Sequence, residues 1–472
     1  MTDTSGHVAY HSTAGKAIVA AAALGSGLTF LDGSVVNVAL RTIGEDLDAS
    51  LAELQWINNA YLLSMSALIL LGGSLGDRYG RRRIFIIGTV GFAVGSLLCG
   101  IAPSALVLII ARILQGVAAA LLTPSSLALI QGAFEPESRS TAIGAWSGLG
   151  AIAFVIGPFV GGYLTEYVSW RWIFFINLPL AVVTVLVARR WAPETRDPDA
   201  PDHFDVTGAV SAALALTGIT YALIEWGRPL ALWAGVAGLL AAAVFLYVEW
   251  RGDQPMMPLG LFGDRTFSAA NAMTLLVYAA LGAVLFFLTI ELQTVSGYGA
   301  FKAGIASLPI TLCMIFLAPR GGALGQRIGP RIPMTVGPVV MGVASLMLLT
   351  AGPDLNYWLD VLPGLTVFGL GLSLMVAPLT ATVLAAAPDE NAGIASGINN
   401  AVARAGALLA VAALPVAVGL AGDDYADAAV FDDAFRQATI TCAVLLVLGG
   451  IVSWFTIPGT FEEAANPDPS AV

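Results

Sequence analysis

Long apolar runs dominate the chain, and short segments rich in glycine, proline, arginine and aspartate separate them. A helix needs roughly 20 apolar residues to cross the ~30 Å hydrocarbon layer of a bilayer, and only a helix satisfies its own backbone polar groups there. Fourteen such runs predict an all-α integral membrane protein with 14 transmembrane helices. The runs span residues 15–40, 54–76, 84–103, 104–131, 140–164, 172–190, 207–226, 230–250, 267–294, 301–319, 332–352, 357–386, 392–421 and 438–458.

Lysine and arginine are unevenly distributed between the segments that join these runs. If the N-terminus is cytoplasmic, 14 of the 21 basic residues fall in cytoplasmic segments and 5 in external ones, while Arg112 and Arg404 lie within runs. Cytoplasmic segments of membrane proteins carry the excess of these residues. We therefore expect both termini to be cytoplasmic.

Composition narrows the function classes. Hydrophobic residues make up 57% of the chain and charged residues 11%, which excludes an ordinary soluble globule. The net charge of -11 argues against a nucleic-acid partner. The three cysteines lie in apolar runs without metal-ligand spacing, and the three histidines lie outside the runs, so we expect neither a metal site nor an intramembrane histidine relay. The chain also lacks GxxxxGK[ST], which argues against an ATP-driven pump and leaves ion or proton coupling.

One segment of the sequence occurs twice. Residues 72–88 and 321–337 are identical at 8 of 17 positions, and by our count eight spans separate the two copies. Parallel repeats of this kind are a transporter architecture with the binding site at the repeat interface. We therefore predict two six-helix bundles with two additional helices inserted between them. The predicted divisions are 1–190 for the first bundle, 191–265 for a cytoplasmic linker and the inserted helices, 266–460 for the second bundle, and 461–472 for a cytoplasmic tail.

Two charged residues lie deep within predicted spans. Asp32 and Arg112 are each about 8 residues, or ~12 Å, from the same side of the membrane. An ionised group there costs at least ~2.5 kcal/mol, so it usually faces the bundle interior and is paired. Burial favours a neutral carboxyl and a nearby guanidinium favours a charged one, so a movement that changes their separation would load or release a proton. The alternative is a static ion pair that only holds spans 1 and 4 together.

Several motifs occur in a characteristic order along the chain. They are 31–40 (LDGSVVNVAL), 73–82 (GSLGDRYGRR), 112–116 (RILQG), 157–162 (GPFVGG) and 170–179 (WRWIFFINLP). In sequence and order they resemble the motifs of the major facilitator superfamily, in particular its fourteen-span drug:proton antiporters. Three positions depart from the family pattern: Ser34 replaces a threonine, Arg41 stands where proline is common, and Ala153 replaces a glycine.

The resemblance implies a proton-coupled secondary transporter that exports small lipophilic compounds by alternating access. Such a protein would be driven by the proton gradient without a cofactor, and its partners would be the lipid bilayer, protons and a small-molecule substrate. We expect a monomer in a bacterial cytoplasmic membrane. Export of an endogenous metabolite, lipid or amino acid is the alternative. A non-transporting sensor and an intramembrane enzyme are more remote, and the enzyme would need a nucleophile with a base in reach, which no span supplies.

The candidate site residues form four groups. Asp32 and Arg112 are the proton-coupling pair. The predicted substrate cavity is formed by Asn37, Gln115, Glu291, Asn399, Asn400 and Arg404. The predicted gating loop contains Gly73, Asp77, Arg78, Gly80, Arg81 and Arg82. The predicted helix-packing motif contains Gly144, Gly157, Pro158, Gly161 and Gly162. Three alternatives stay open: Glu291 is an interfacial charge without a role, the loop arginines only set orientation, and the glycines serve ordinary membrane packing.

Overall fold

The computed structural model describes residues 8–196, 205–252, 255–388, 391–420, 424–461 and 463. These residues form helices, and the only strand-like pairing among them is an isolated bridge between Val8 and Phe134. This confirms the predicted all-α class. His7, His203 and the predicted tail beyond residue 463 lie outside the described residues.

Sixteen α-helices are present in the described part of the chain. They are α1 (Thr13–Leu47), α2 (Leu51–Tyr79), α3 (Arg81–Gly100), α4 (Ala105–Ala133), α5 (Pro136–Tyr167), α6 (Trp172–Phe175), α7 (Asn177–Trp191), α8 (Val206–Ile224), α9 (Pro229–Arg251), α10 (Arg265–Thr294), α11 (Ala300–Ala306), α12 (Leu308–Ile328), α13 (Arg331–Met347), α14 (Leu362–Ala385), α15 (Ala392–Ala417) and α16 (Ala428–Thr456). A π-helical turn at Tyr357–Val361 precedes α14.

Thirteen helical segments of the described chain are long and apolar enough to cross a membrane. Two of them combine a short α-helix with the next α-helix: Trp172–Trp191 contains α6 and α7, and Ala300–Ile328 contains α11 and α12. Helix α5, which corresponds to the predicted fifth span, is 32 residues long and is not among the thirteen. The protein is thus a multi-pass membrane protein, and the total of fourteen spans stays a prediction.

The repeated sequence makes the same turn twice. Gly80 follows α2 with φ = 112°, and Gly329, at the equivalent position, follows α12 with φ = 82°. Only glycine adopts such positive φ angles without a steric penalty, so each glycine ends one helix and lets the next begin within two residues. The duplication seen in the sequence is therefore also a duplication of local backbone structure.

The chain divides into two compact units. Unit 1 comprises Met1–Thr217, Leu240–Val248 and Gly252–Met256, and unit 2 comprises Gly218–Leu239, Glu249–Arg251 and Met257–Val472. The predicted inserted helices are thus divided between the units.

Within each unit, the helices pack in the same pattern. In unit 1, α1 packs against α5 and α7, while α4 packs against α2 and α3. In unit 2, α10 packs against α15 and α16, while α14 packs against α12 and α13. The same neighbours recur in the same chain order, as expected of a duplicated bundle.

Candidate functional site

A buried ion pair joins α1 to α4 in unit 1. A guanidinium nitrogen of Arg112, Nη1, donates a close hydrogen bond to Oδ2 of Asp32. The Arg112 side chain has no exposed surface, and that of Asp32 is 1% exposed. The structure therefore brings together the two residues that the sequence selects by depth, and it encloses both completely.

Gln115 completes the coordination of this pair. Its Nε2 donates to Asp32 Oδ1 at 2.8 Å, and its Oε1 accepts from Arg112 Nη1 at 2.8 Å. Because Gln115 lies three residues after Arg112, both side chains leave the same face of α4. The prediction placed Gln115 on the surface of a substrate cavity, but the structure encloses it, and its amide is used in holding the ion pair.

The network continues beyond Gln115 to residues that the sequence reasoning did not select. Gln115 Nε2 also donates to Ser96 Oγ at 2.9 Å, and Asn177 Nδ2 donates to the same oxygen at 3.2 Å. The Cys99 thiol donates to Gln115 Oε1 at 3.5 Å. Polar residues inside apolar runs can be recognised in the sequence. Which of them contact one another is determined only by the packing of the helices.

The rest of the Arg112 side chain is held by backbone and by an aromatic ring. Its Nε donates to the Ile57 carbonyl oxygen at 3.1 Å, and its Cζ lies 4.3 Å from the centre of the Tyr61 ring. Its Nη2 is buried without a hydrogen-bond partner among the described residues. A desolvated guanidinium over an aromatic face gains about 2 kcal/mol. Tyr61 therefore offsets part of the cost of burying this cation.

Asn37, the other predicted polar residue of α1, lies apart from the pair. A five-residue offset from Asp32 turns a helical side chain by about 140°. Asn37 is half-buried, and its Nδ2 donates to the Gly33 carbonyl oxygen of its own helix at 3.5 Å. Its cavity role stays a prediction.

In unit 2, the three polar residues of α15 divide into two groups. Asn399 Nδ2 donates to Asn271 Oδ1 at 3.1 Å and to Thr274 Oγ1 at 2.8 Å, both on α10. Asn400 is exposed and accepts a hydrogen bond from Arg404 Nε at 2.9 Å, one turn further along α15. Asn399 thus connects two helices, while Asn400 and Arg404 form a polar pair that a substrate could contact.

Glu291 is buried instead of lying at an exposed helix end. Its side chain has no exposed surface, although it is only three residues from the end of α10. Helix α16 packs against α10 here, and the Phe287 and Phe431 rings stack with centroids 5.9 Å apart. An interfacial charge and an open substrate contact both require an accessible carboxylate, so in this structure Glu291 is neither.

The predicted gating loop is hydrogen-bonded to the segment that follows α7. Arg81 and Asp77 pair at 2.8 Å across the α2–α3 turn. Glu194 Oε1 accepts the Arg82 backbone N–H at 3.1 Å, and Arg82 Nη1 donates to the Ala192 carbonyl oxygen at 3.0 Å. Glu194 was not among the predicted residues. The sequence does contain a signal for it, because Pro193 and Glu194 come shortly after the sixth predicted span and indicate a charged turn. Gly73 and Arg78 lie on the last two turns of α2.

The helix-packing glycines bring α5 close to α1, with one exception. A Cβ at Gly157 would lie 2.0 Å from Ser34 Oγ, and one at Gly161 would lie 2.7 Å from Val35 Cγ1. Pro158 lies within α5, which continues helical past it, and Gly162 is buried. A Cβ at Gly144 would meet nothing within 4 Å, so the predicted packing role of Gly144 is wrong for this structure. Gly144 lies early in α5 and is exposed.

This difference supports a prediction with a matched control on one helix. We expect Gly161→Ala to lower the free energy of unfolding by about 1–3 kcal/mol, because the added methyl overpacks the α1–α5 contact. Gly144→Ala should be neutral or stabilise by up to about 1 kcal/mol, because alanine favours a helix over glycine. Thermal unfolding of the purified variants in detergent measures both. Equal stability of the two variants would contradict the assignment of Gly161 to the α1–α5 contact.

Comparison with known proteins places the chain among membrane transporters. The sequence profile of the Major Facilitator Superfamily matches residues 22–411. The chain is 34% identical to a tetracenomycin C resistance and export protein of Streptomyces glaucescens, over 89% of this chain and 78% of the relative. It is also 34% identical to a puromycin resistance protein of Streptomyces alboniger, over 97% of this chain and 94% of the relative.

A solved structure has the same fold. The crystal structure of a D-xylose-proton symporter superposes with a TM-score of 0.67 over 94% of this chain and 98% of that chain. The two sequences are 14% identical, so the likeness concerns the fold alone.

Proposed function

Because the chain belongs to the Major Facilitator Superfamily, which confirms the resemblance seen in its motifs, we propose that it exports small lipophilic compounds in exchange for protons. The relatives named above are resistance and export proteins, which supports export as the direction of transport. The observation that carries the proton coupling is the fully buried Asp32–Arg112 pair.

Both oxygens of the Asp32 carboxylate accept hydrogen bonds from side chains of α4. Arg112 donates to Oδ2, and the Gln115 amide donates to Oδ1 at 2.8 Å. The α1–α4 contact at this depth is therefore built on the charge of one carboxylate.

Protonation would in turn weaken that contact. A neutral Asp32 loses the Coulombic attraction to Arg112, which is strong in a desolvated site. The hydrogen bonds from Arg112 to Ile57 of α2 and to Gln115 of α4 would then hold the guanidinium in place while α1 becomes free to shift. Alternating access requires such a link between the bound proton and helix position.

An apolar cavity in unit 1 favours a lipophilic substrate. It has a volume of about 380 Å³ and is lined in part by Leu24, Leu28 and Leu31 of α1 and by Ile156 of α5. Leu31 directly precedes Asp32 in the chain. Sites for small molecules are typically ~300–1,000 Å³ and mainly apolar. The cavity therefore suits an apolar compound, or the apolar part of a larger one.

We further propose a location in a bacterial cytoplasmic membrane with both termini inside, on the basis of the lysine and arginine distribution. Monomeric function is part of the proposal, since each chain carries its own ion pair and cavity.

A growth and accumulation panel tests the function. Cells that express the chain should tolerate, and accumulate less of, some of the dyes, biocides and antibiotics tested. Everted vesicles should take up the same compounds when acidified inside, and collapse of the pH gradient should stop uptake. If only central metabolites are transported, the protein exports an endogenous compound and drug export is wrong. Uptake that persists without a pH gradient would contradict proton coupling.

A further inference from the structure

Unit 2 contains a buried acidic pair that the proposed exchange does not use. The carboxyl groups of Glu291 on α10 and Asp432 on α16 are within hydrogen-bonding reach of each other. Both Glu291 oxygens and Oδ1 of Asp432 are buried, and among the residues that the structure describes none has a donor as a partner. Two ionised carboxylates have only acceptor atoms, so a hydrogen bond between them requires one of them to carry a proton.

We propose that Glu291 and Asp432 share one proton and form a second proton-binding site of this transporter. Two carboxyl groups in close contact cannot both ionise at low cost, so such a pair retains one proton between them. The shared proton supplies one O–H donor, so an oxygen of one carboxyl group can donate to an oxygen of the other. This inference rests on the proposed proton coupling only for its role in transport, since proton binding can be measured without substrate.

The surroundings of the pair favour a proton over a larger cation. In the part of the chain that the structure describes, the charged groups that act on Glu291 are Asp432 and Arg436, both on α16. Arg436 Nε pairs with Asp432 Oδ2 at 3.1 Å, so a positive charge already lies beside the pair. A bound metal ion would be repelled by this guanidinium, whereas a single proton between the carboxyls leaves its ion pair intact.

Exposure increases stepwise from Glu291 outwards, which provides a path for the proton. The Glu291 side chain is fully buried, that of Asp432 is 21% exposed, and that of Arg436 is 45% exposed. Asp432 therefore connects the enclosed carboxyl to solvent. Because Glu291 is near the end of α10 and Asp432 near the start of α16, the pair lies on the side that the sequence predicts to be external, where a proton would enter.

Infrared difference spectroscopy of the purified protein in lipid tests proton binding directly. Spectra between acid and alkaline pH should contain a carbonyl band of a protonated carboxylic acid in the wild type. Glu291→Gln should remove this band, because the remaining Asp432 is paired with Arg436. Asp432→Asn should shift the band, because the Glu291 carboxyl loses its carboxyl partner. Asp433→Asn changes the exposed neighbour on α16 and should leave the band unchanged. An unshifted band in either Glu291→Gln or Asp432→Asn would overturn the shared proton.

Transport measurements then test the role in coupling. If the site contributes one of the exchanged protons, Glu291→Gln should sustain a substrate gradient about tenfold smaller for each unit of pH difference. Glu291→Asp keeps a titratable group and should restore part of the loss. Wild-type transport without any proton dependence would contradict the proposed function while leaving the infrared result valid. A proton-coupled wild type with an unchanged gradient in Glu291→Gln would contradict the coupling role of this pair.

Discussion

Replacement of Asp32 by asparagine is expected to abolish export driven by a pH gradient. Asparagine is close to aspartate in size and can still accept a hydrogen bond from Arg112, but it cannot bind and release a proton. In proteoliposomes with an imposed pH gradient, substrate flux by Asp32→Asn should fall to the level of liposomes without protein. Substrate binding should persist, since the apolar cavity beside Leu31 is unchanged.

A second acidic residue on α1 provides the matched control. Glu45 pairs with Arg41 on the surface, and its side chain is 62% exposed. Glu45→Gln removes one carboxylate from the same helix and should keep wild-type flux, because exposed ion pairs contribute about 0–1 kcal/mol. Proton-driven flux of wild-type size in Asp32→Asn would show that another group carries the coupling proton.

The second large effect is on the free energy of unfolding, because the charges of Asp32 and Arg112 are both buried. Arg112→Gln leaves the Asp32 carboxylate buried without its cation, which should lower the free energy of unfolding by about 3–5 kcal/mol. The double variant Asp32→Asn/Arg112→Gln removes both charges and should regain much of this loss. Denaturant unfolding of the wild type, both single variants and the double variant in detergent gives the coupling energy. Additive effects of the two substitutions would mean that the pair does not interact as the structure indicates.

The sequence predicted the fold because its signals are local. The cost of exposing backbone polar groups to lipid forces each long apolar run into a helix, whatever its neighbours are. The duplication could also be recognised in the sequence, because the two copies share the glycine that ends the helix, Gly80 in the first copy and Gly329 in the second. The depth of Asp32 and Arg112, together with the motifs that contain them, selected these residues as a pair, because two opposite charges at equal depth in lipid lower each other's cost.

Only the tertiary structure decided the partners of the other polar residues. Gln115 and Glu291 are both polar residues of predicted spans, and the sequence placed both in a substrate cavity. The structure encloses Gln115 in the ion-pair network of unit 1 and Glu291 against Asp432 of α16. The same holds for glycines of one helix: a Cβ at Gly161 would clash with Val35 of α1, whereas a Cβ at Gly144 would meet nothing within 4 Å.

The physical reason is that the sequence gives the depth of a residue in the membrane but does not give the direction in which its side chain points. Hydropathy and the cost of a charge in lipid depend on how far a residue lies along a helix, and the sequence determines that distance at 1.5 Å per residue. Which side chains meet depends on the rotation of each helix about its axis and on its neighbours, and the packing of all helices in a unit sets these together. The sequence by itself therefore determined the helices, their polarity pattern and the Asp32–Arg112 candidates, while helix packing determined that Glu291 and Asp432 form a pair.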